Sequence, residues 1–347
     1  MIFDFVVGGT GDEATVRGNR AAFDRWRFLP QMLRGIPEVS TATSILGQEI
    51  ALPVLIAPTS LQRLCQDEGE QATARAARDA GTIYTMSTAA SIAIEDIAPH
   101  AGPWWFQLYV FRDRGLTQDL VARAASAGTS ALVVTVDTSQ LGRREADQRN
   151  HFALPSGVAM ANVQQPAPRN AGEAGASAPW LTAVPIVESA LTWGDLDWLA
   201  SLSPLPAIPK GIMHRDDAVA ALEHGAPAVI VSNHGGRRLD SAVATLDALP
   251  AIVAAVAGRA DVLVDGGIRR GTDVMKAVAL GARAVLIGRP ILWGLTVSGE
   301  AGVRHVLELL RAEFALDLLL CGLANWLPWT APSLSQRNSR SGVESGL

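Results

Sequence analysis

Cysteine is scarce in this 347-residue chain: Cys65 and Cys321 are the only two, and they show neither CxxC nor zinc-type spacing. Two distant thiols cannot provide a disulfide framework, so a reducing compartment, the cytoplasm, is the expectation. There is no basic surplus either. Twenty-nine Lys and Arg against 34 Asp and Glu leave a net charge of -5, which gives no electrostatic footprint for nucleic acid. Uncharged apolar runs long enough to cross a bilayer are also missing. The most apolar late stretch, Val303 to Leu323, is interrupted by Arg304, His305, Glu308, Arg311, Glu313 and Asp317, so it reads as an amphipathic helix and no membrane partner is expected. The opening MIFDFVVGGTGDEATVRGNR lacks the basic head, apolar middle and small-residue cleavage site of a signal peptide. Its GGTG, Gly8 to Gly11, follows no strand and opens no βαβ unit, so it reads as an ordinary loop and not as a nucleotide-binding fingerprint.

What is present is an apolar share of 48%, ample for a core, and a repeated unit. Eight apolar, β-rich runs each stop at a polar or glycine-bearing turn: 52–58, 82–87, 104–109, 131–137, 205–211, 228–236, 261–267 and 284–290. Apolar residues nearly throughout suit strands covered on both faces. Most intervening segments, such as EGEQATARAARDAG and RRGTDVMKAVALGA, are rich in good helix formers and close on glycine. Strand and helix alternating eight times predict one domain over 1–347, a closed (β/α)8 barrel of the TIM type. Pro209 in the fifth run is awkward for a central strand, because it has no N–H to donate. The connection after the fourth run is exceptionally long, with a stretch rich in Pro, Ala, Gly and Asn from Leu154 to Pro179. A mobile loop over about 152–190 is expected, along with a C-terminal tail over about 331–347.

In such a barrel the chemistry gathers where the strands end. The ends are unusually polar: Thr59, Ser87, Gln107 with Tyr109, Thr135 with Asp137, Lys210, Ser232 with His234 and Arg237, Asp265 with Arg269, and Gly288 with Arg289. The last two runs finish as DGGIRRG and IGRP, which places glycine-freed N–H groups and two arginines where this fold holds phosphates. In SNHGGRRLD an imidazole and a guanidinium leave one strand end together; His234 suits proton acceptance near neutral pH and Arg237 a bidentate grip on a carboxylate. Asp137 is the natural partner to orient that imidazole, and Lys210 would direct an ammonium into the mouth to stabilise negative charge. The other histidines, 100, 151, 214, 224 and 305, are read as structural.

With IAPTSLQRL, DEGEQATARAARDAG, WFQLYV, TVDTSQLGRREAD, PKG, SNHGGRRLD, LVDGGIRRGTDV and IGRP in order, the chain resembles the FMN-dependent 2-hydroxy-acid oxidases and dehydrogenases over nearly its whole length. The resemblance implies FMN as cofactor, held by Pro58, Thr59, Ser60, Ser87, Gln107, Tyr109, Thr135, Lys210, Ser232, Asp265, Gly266, Gly267, Ile268, Arg269, Gly288 and Arg289. It implies a 2-hydroxy acid of S configuration held by Tyr109, Arg144, His234 and Arg237, with no catalytic metal. Oxygen or another acceptor would reoxidise the flavin, and a homotetramer is the family habit.

Two departures bear on substrate choice. Where the family commonly has a tyrosine hydroxyl for the substrate carboxylate, this chain has Phe5, a loss of about 1.5–3 kcal/mol that an aromatic substrate packing on the ring would offset by roughly 1–3 kcal/mol. Where glycolate oxidase has a tryptophan after the second strand, this chain has Ala89, which enlarges the pocket. Both favour a bulky or aromatic acid of mandelate or 4-hydroxymandelate type. The alternatives are a lactate or glycolate oxidase, a quinone-linked dehydrogenase, and a silent flavin-binding protein. The last is made plausible by Phe5 and by a leading helix that the short N-terminal stretch would lack. Nucleotide dehydrogenation would need a loop cysteine, and neither cysteine is expected at a strand end.

Overall fold

The structure, a computed structural model, describes residues 1–140, 142–163, 187–326 and 334–336. Eight parallel strands close into a barrel in chain order: β1 (Val54–Ile56), β2 (Tyr84–Ser87), β3 (Trp104–Leu108), β4 (Leu132–Thr135), β5 (Ala207–Ile212), β6 (Ala228–Val231), β7 (Asp261–Asp265) and β8 (Ala284–Ile287), with β8 paired back onto β1. Seven strands lie inside their runs, and β5 extends one residue past its own, to Ile212. The barrel interior and the layer outside it form separate apolar clusters that divide the strands by alternate residues. Leu55, Ile83, Trp105, Val133, Ile208, Ile230, Leu263 and Leu286 fill the interior. Their neighbours Ile56, Tyr84, Phe106, Val134, Val229, Val264 and Val285 pack outward against the helices. That is the strand period of two.

Extending the inward phase toward the strand ends gives Thr59, Ser87, Gln107, Thr135, Lys210, Ser232, Asp265 and Gly288. The barrel therefore carries a polar layer on apolar layers, and one face collects all the chemistry. The opposite end is stopped by a hairpin, Thr43–Ile45 with Gln48–Ile50, whose Ile45 and Ile50 join the interior cluster.

Pro209 stays within β5, opposite Val134, and the pairing with β6 shifts register between Lys210 and Ile212. Gly211 sits at that shift with φ +119°, and a Cβ there would lie 2.7 Å from the Asp137 Cβ. Glycine therefore lets Asp137 close onto the strand.

The Ala-rich segments form helices at Gly69–Asp79 and Gly271–Ala279, as their composition predicts. The late helix, Arg289–Leu320, buries Val303, Leu307, Leu310, Phe314 and Leu318 on one side, and it is interrupted by non-helical backbone at Ser298 and Gly299. No helix among the described residues is long and apolar enough to cross a membrane. The N-terminal stretch that carries Phe5 forms a short helix, Ile2–Val7. Hydrophobic residues of that helix, Phe5 above all, have partners to bury against. Of the expected C-terminal tail, Leu334–Gln336 pairs antiparallel with Trp26–Phe28. The middle of the expected mobile loop, 164–186, lies outside the described residues.

Candidate active site

Two chambers meet at His234 over the polar layer. The first is lined by Pro58, Thr59, Ser60, Ser87, Gln107, Tyr109, Thr135, Lys210, Asp265, Gly266, Gly267, Ile268, Arg269, Gly288 and Arg289, every cofactor residue named from sequence except Ser232. Ser232 stands just behind, accepting from Lys210 Nζ at 2.8 Å and donating to Asp265 Oδ2 at 2.9 Å. Lys210 Nζ is also 2.9 Å from Asp265 Oδ2. Burial opposes the ammonium charge, but Asp265 and Asp137 more than offset it and hold the Lys210 pKa above its ordinary value. Across the mouth, Ser87 Oγ donates to Gln107 Oε1 at 3.0 Å and Gln107 Nε2 donates to Thr135 Oγ1 at 2.9 Å. These two networks lock the polar layer.

The far end of this chamber is a cationic cradle. Gly266 and Gly267 have φ of +99° and +84°, and a Cβ on Gly267 would lie 2.3 Å from the Asn19 carbonyl oxygen. Only glycine tolerates that backbone there. Burial and the Arg289 charge push Arg269 down to about 10, and burial lowers Arg289 as well. Two partly buried guanidiniums close enough to repel are arranged to receive an anion. The buried Asp265 Oδ1 has no hydrogen-bond partner among the described residues, so the polar layer is unfinished without a ligand. The features suit a flavin mononucleotide: polar groups for a ring system at one end and an anion cradle at the other.

The second chamber is lined by all six expected substrate residues: Phe5, Ala89, Tyr109, Arg144, His234 and Arg237. His234 Nδ1 lies 3.0 and 3.2 Å from the two oxygens of Asp137, which sits behind it as expected. Its backbone is left-handed, φ +57°, and its N–H donates to Ser232 Oγ. That strained turn lifts the imidazole off the strand end into the junction of the chambers. Burial, reinforced by Arg238 and Lys210 and opposed by Asp137, lowers His234 to about 4. Burial works against ionisation of Asp137, but His234, Lys210 and Arg238 outweigh it and hold the carboxyl at about 2. At neutral pH the pair is therefore a neutral imidazole against a carboxylate, with Nε2 as the proton acceptor.

Burial lowers Arg144 to about 10, and burial together with Arg144 and Arg289 pushes Arg237 well down. Arg237 Nη1 donates to the Gly8 carbonyl at 2.6 Å, and the Arg289 guanidinium reaches the Gly8 and Gly235 carbonyls. The GGTG loop thus carries one acceptor, the Gly8 carbonyl, that holds two of the site's arginines.

Phe5 requires a correction as well. Its ring is stacked on Phe152, centroids 4.4 Å apart and 6° from parallel, and it carries the Arg144 and Arg237 guanidiniums at 5.1 and 5.5 Å. At 7% exposure it has little surface left for a substrate ring. Apolar surface for the substrate comes instead from Phe111, Met160, Val163 and Val187 beside Ala89. Of these, Phe111 continues the inward phase of Gln107 and Tyr109 and could have been found in the sequence. The others stand on loops with no periodic signal. Thr88, Thr138 and Arg238 also line this chamber and had been passed over. Cys65, not expected at a strand end, closes the turn Gln62–Leu64 and lines the first chamber. Burial raises its thiol pKa, so it is a poor nucleophile. Among the other histidines, His214 caps a helix and His224 pairs with Asp197.

The family model described as FMN-dependent dehydrogenase matches residues 1–332. The chain belongs to this family. L-lactate oxidase of Nostoc sp. is 52% identical over 328 residues, 93% of this chain and 90% of that protein. 2-Hydroxyacid oxidase 1 of Homo sapiens is 44% identical over 332 residues, covering 93% and 89%. A structure of mandelate oxidase with (S)-2-phenylpropionate superimposes with a TM-score of 0.87 at 44% identity, covering 97% of this chain and 93% of that one. This family member is an FMN-dependent oxidoreductase that acts on the CH–OH group of 2-hydroxy acids.

Proposed function

We propose that the chain oxidises a bulky, apolar (S)-2-hydroxy acid of mandelate or 4-hydroxymandelate type to the 2-keto acid and passes the electrons to oxygen, releasing hydrogen peroxide. The observation that carries the substrate class is the make-up of the second chamber. Arginines and His234 line it together with the apolar Ala89, Phe111, Met160, Val163 and Val187. Burying a phenyl group there is worth roughly 1.5–3 kcal/mol, a gain glycolate cannot obtain.

Arg237 and Arg144 hold the substrate carboxylate, and Tyr109 adds a hydroxyl beside it. His234, neutral at physiological pH, takes a proton from the substrate; Asp137 fixes its tautomer and stabilises the imidazolium that results. The first chamber would hold FMN, with Arg269, Arg289 and the Gly266–Gly267 turn as the groups to receive its phosphate and Lys210 as the positive charge for its ring system. When bound, FMN supplies the two-electron acceptor.

A lactate oxidase reading has its own support, since L-lactate oxidase of Nostoc sp. is 52% identical to this chain. Anaerobic mixing of the holoenzyme with mandelate, 4-hydroxymandelate, lactate and glycolate, followed by admission of air, separates the readings. Rapid bleaching by the aromatic acids and peroxide release on reoxidation are expected. Slow reoxidation would identify a dehydrogenase, and no bleaching by any of the acids a silent flavoprotein.

A further inference from the structure

We propose that Phe152 is a positioning residue: stacked on Phe5, it completes an aromatic platform that holds the Arg144 and Arg237 guanidiniums in place for the substrate carboxylate. The inference rests on the carboxylate role given to those two arginines above.

Phe152 lines neither chamber, yet it packs with Phe5 in one buried apolar cluster, and its ring and its backbone both lead to the two arginines. Its ring lies parallel to Phe5 at 4.4 Å, and the Phe5 ring carries both guanidiniums. Its backbone N–H donates to the Asp147 carbonyl at 2.9 Å, and Asp147 Oδ2 is 3.2 Å from Arg144 Nε. The short segment that bears Arg144 and Phe152 is tied to the N-terminal helix bearing Phe5 and to the turn after it: Asn150 Nδ2 donates to Asp4 Oδ2 at 2.8 Å, and Gly11 N–H donates to the Arg143 carbonyl at 3.1 Å. Arg237 reaches the same helix through the Gly8 carbonyl.

Such a device answers a physical problem. Arg144 and Arg237 repel each other, and both are charged in a buried place. Without a bound anion each gains by swinging toward water. The electron-rich face of an aromatic ring attracts a guanidinium, the more so when desolvated. A ring fixed by a second ring keeps the guanidiniums in place before the acid arrives, which lowers the ordering cost of binding. In this chain the ring at position 5 matters although it lacks a hydroxyl.

The test titrates the FMN holoenzyme with (S)-2-phenylpropionate, which has no hydroxyl to oxidise, and with the amide of the same acid, following the flavin absorbance. With two guanidiniums loosened, Phe152→Leu should weaken the acid by about tenfold and the amide by less than about twofold. In turnover Phe152→Leu should raise KM more than it lowers kcat, and Phe152→Tyr, which keeps the ring, should restore acid binding. Acid and amide weakening together in Phe152→Leu, or no change in either, overturns the platform, as does failure of Phe152→Tyr to rescue. If the parent protein binds acid and amide equally, the carboxylate assignment falls and the platform with it. An acid preference that Phe152→Leu leaves intact removes the platform alone.

Discussion

The two chambers that meet at His234 are held by different parts of the chain. The first stands on strand ends: Ser87, Gln107, Thr135, Lys210 and Asp265 are the last inward residues of β2, β3, β4, β5 and β7, joined by short hydrogen bonds. The second is walled by connections: the N-terminal helix with Phe5, the turn with Ala89, and the stretch after β4 with Arg144, Met160 and Val163. Strand ends in a closed barrel cannot move without breaking register, whereas connecting segments vary at small cost to the core. The difference teaches where each task belongs: the common redox chemistry on the frame, the choice of acid on the loops.

His234→Gln breaks the junction itself. The rate of flavin reduction should fall on the order of 10³–10⁴-fold by stopped flow, while FMN stays bound because the first chamber is intact. Loss of FMN in this variant would mean the chambers are not separable. On the loop side, Arg237→Met removes a charged partner of the carboxylate and should raise KM on the order of 10–100-fold, the equivalent of about 1.5–3 kcal/mol.

Gly267→Ala attacks the frame. A Cβ 2.3 Å from the Asn19 oxygen at φ +84° must displace backbone. A loss of about 1–3 kcal/mol of stability is expected, together with weaker FMN retention in thermal melts with and without added FMN. Ala89→Trp, by contrast, should leave FMN bound. It should cut mandelate turnover by about tenfold while sparing glycolate, because it fills the apolar part of the second chamber.

The smallest effect is on pH. His234 is held at about 4, so kcat/KM should fall only as pH drops through that region. A bound carboxylate near Arg237 offsets part of the positive charge facing the imidazole, so the acidic limb of kcat should lie higher than that of kcat/KM. Coincident limbs would contradict the placement of the carboxylate beside His234.

Legibility in the sequence followed the same division. Because the inward phase of a strand is fixed by period two, Thr59, Ser87, Gln107, Thr135, Lys210, Ser232 and Asp265 could be read from where each apolar run stops. The eight-strand barrel followed from the same pattern. His234, Asp137 and Arg237 were legible as an imidazole, carboxylate and guanidinium at the ends of β4 and β6. What could not be read is what loops bring together: Phe152 beneath Phe5, the Gly8 carbonyl under Arg237, and Met160, Val163 and Val187 beside Ala89. Their positions depend on contacts between segments about seventy residues or more apart. No periodicity in either segment encodes such contacts, which is why Phe5 was taken for a substrate platform when its ring is occupied by Phe152.

The most direct test of this division is the ratio of anaerobic flavin-reduction rates with (S)-mandelate and with glycolate at saturating acid. A ratio above one, inverted by Ala89→Trp, is the predicted result. Fastest reduction by glycolate in the parent protein would contradict it.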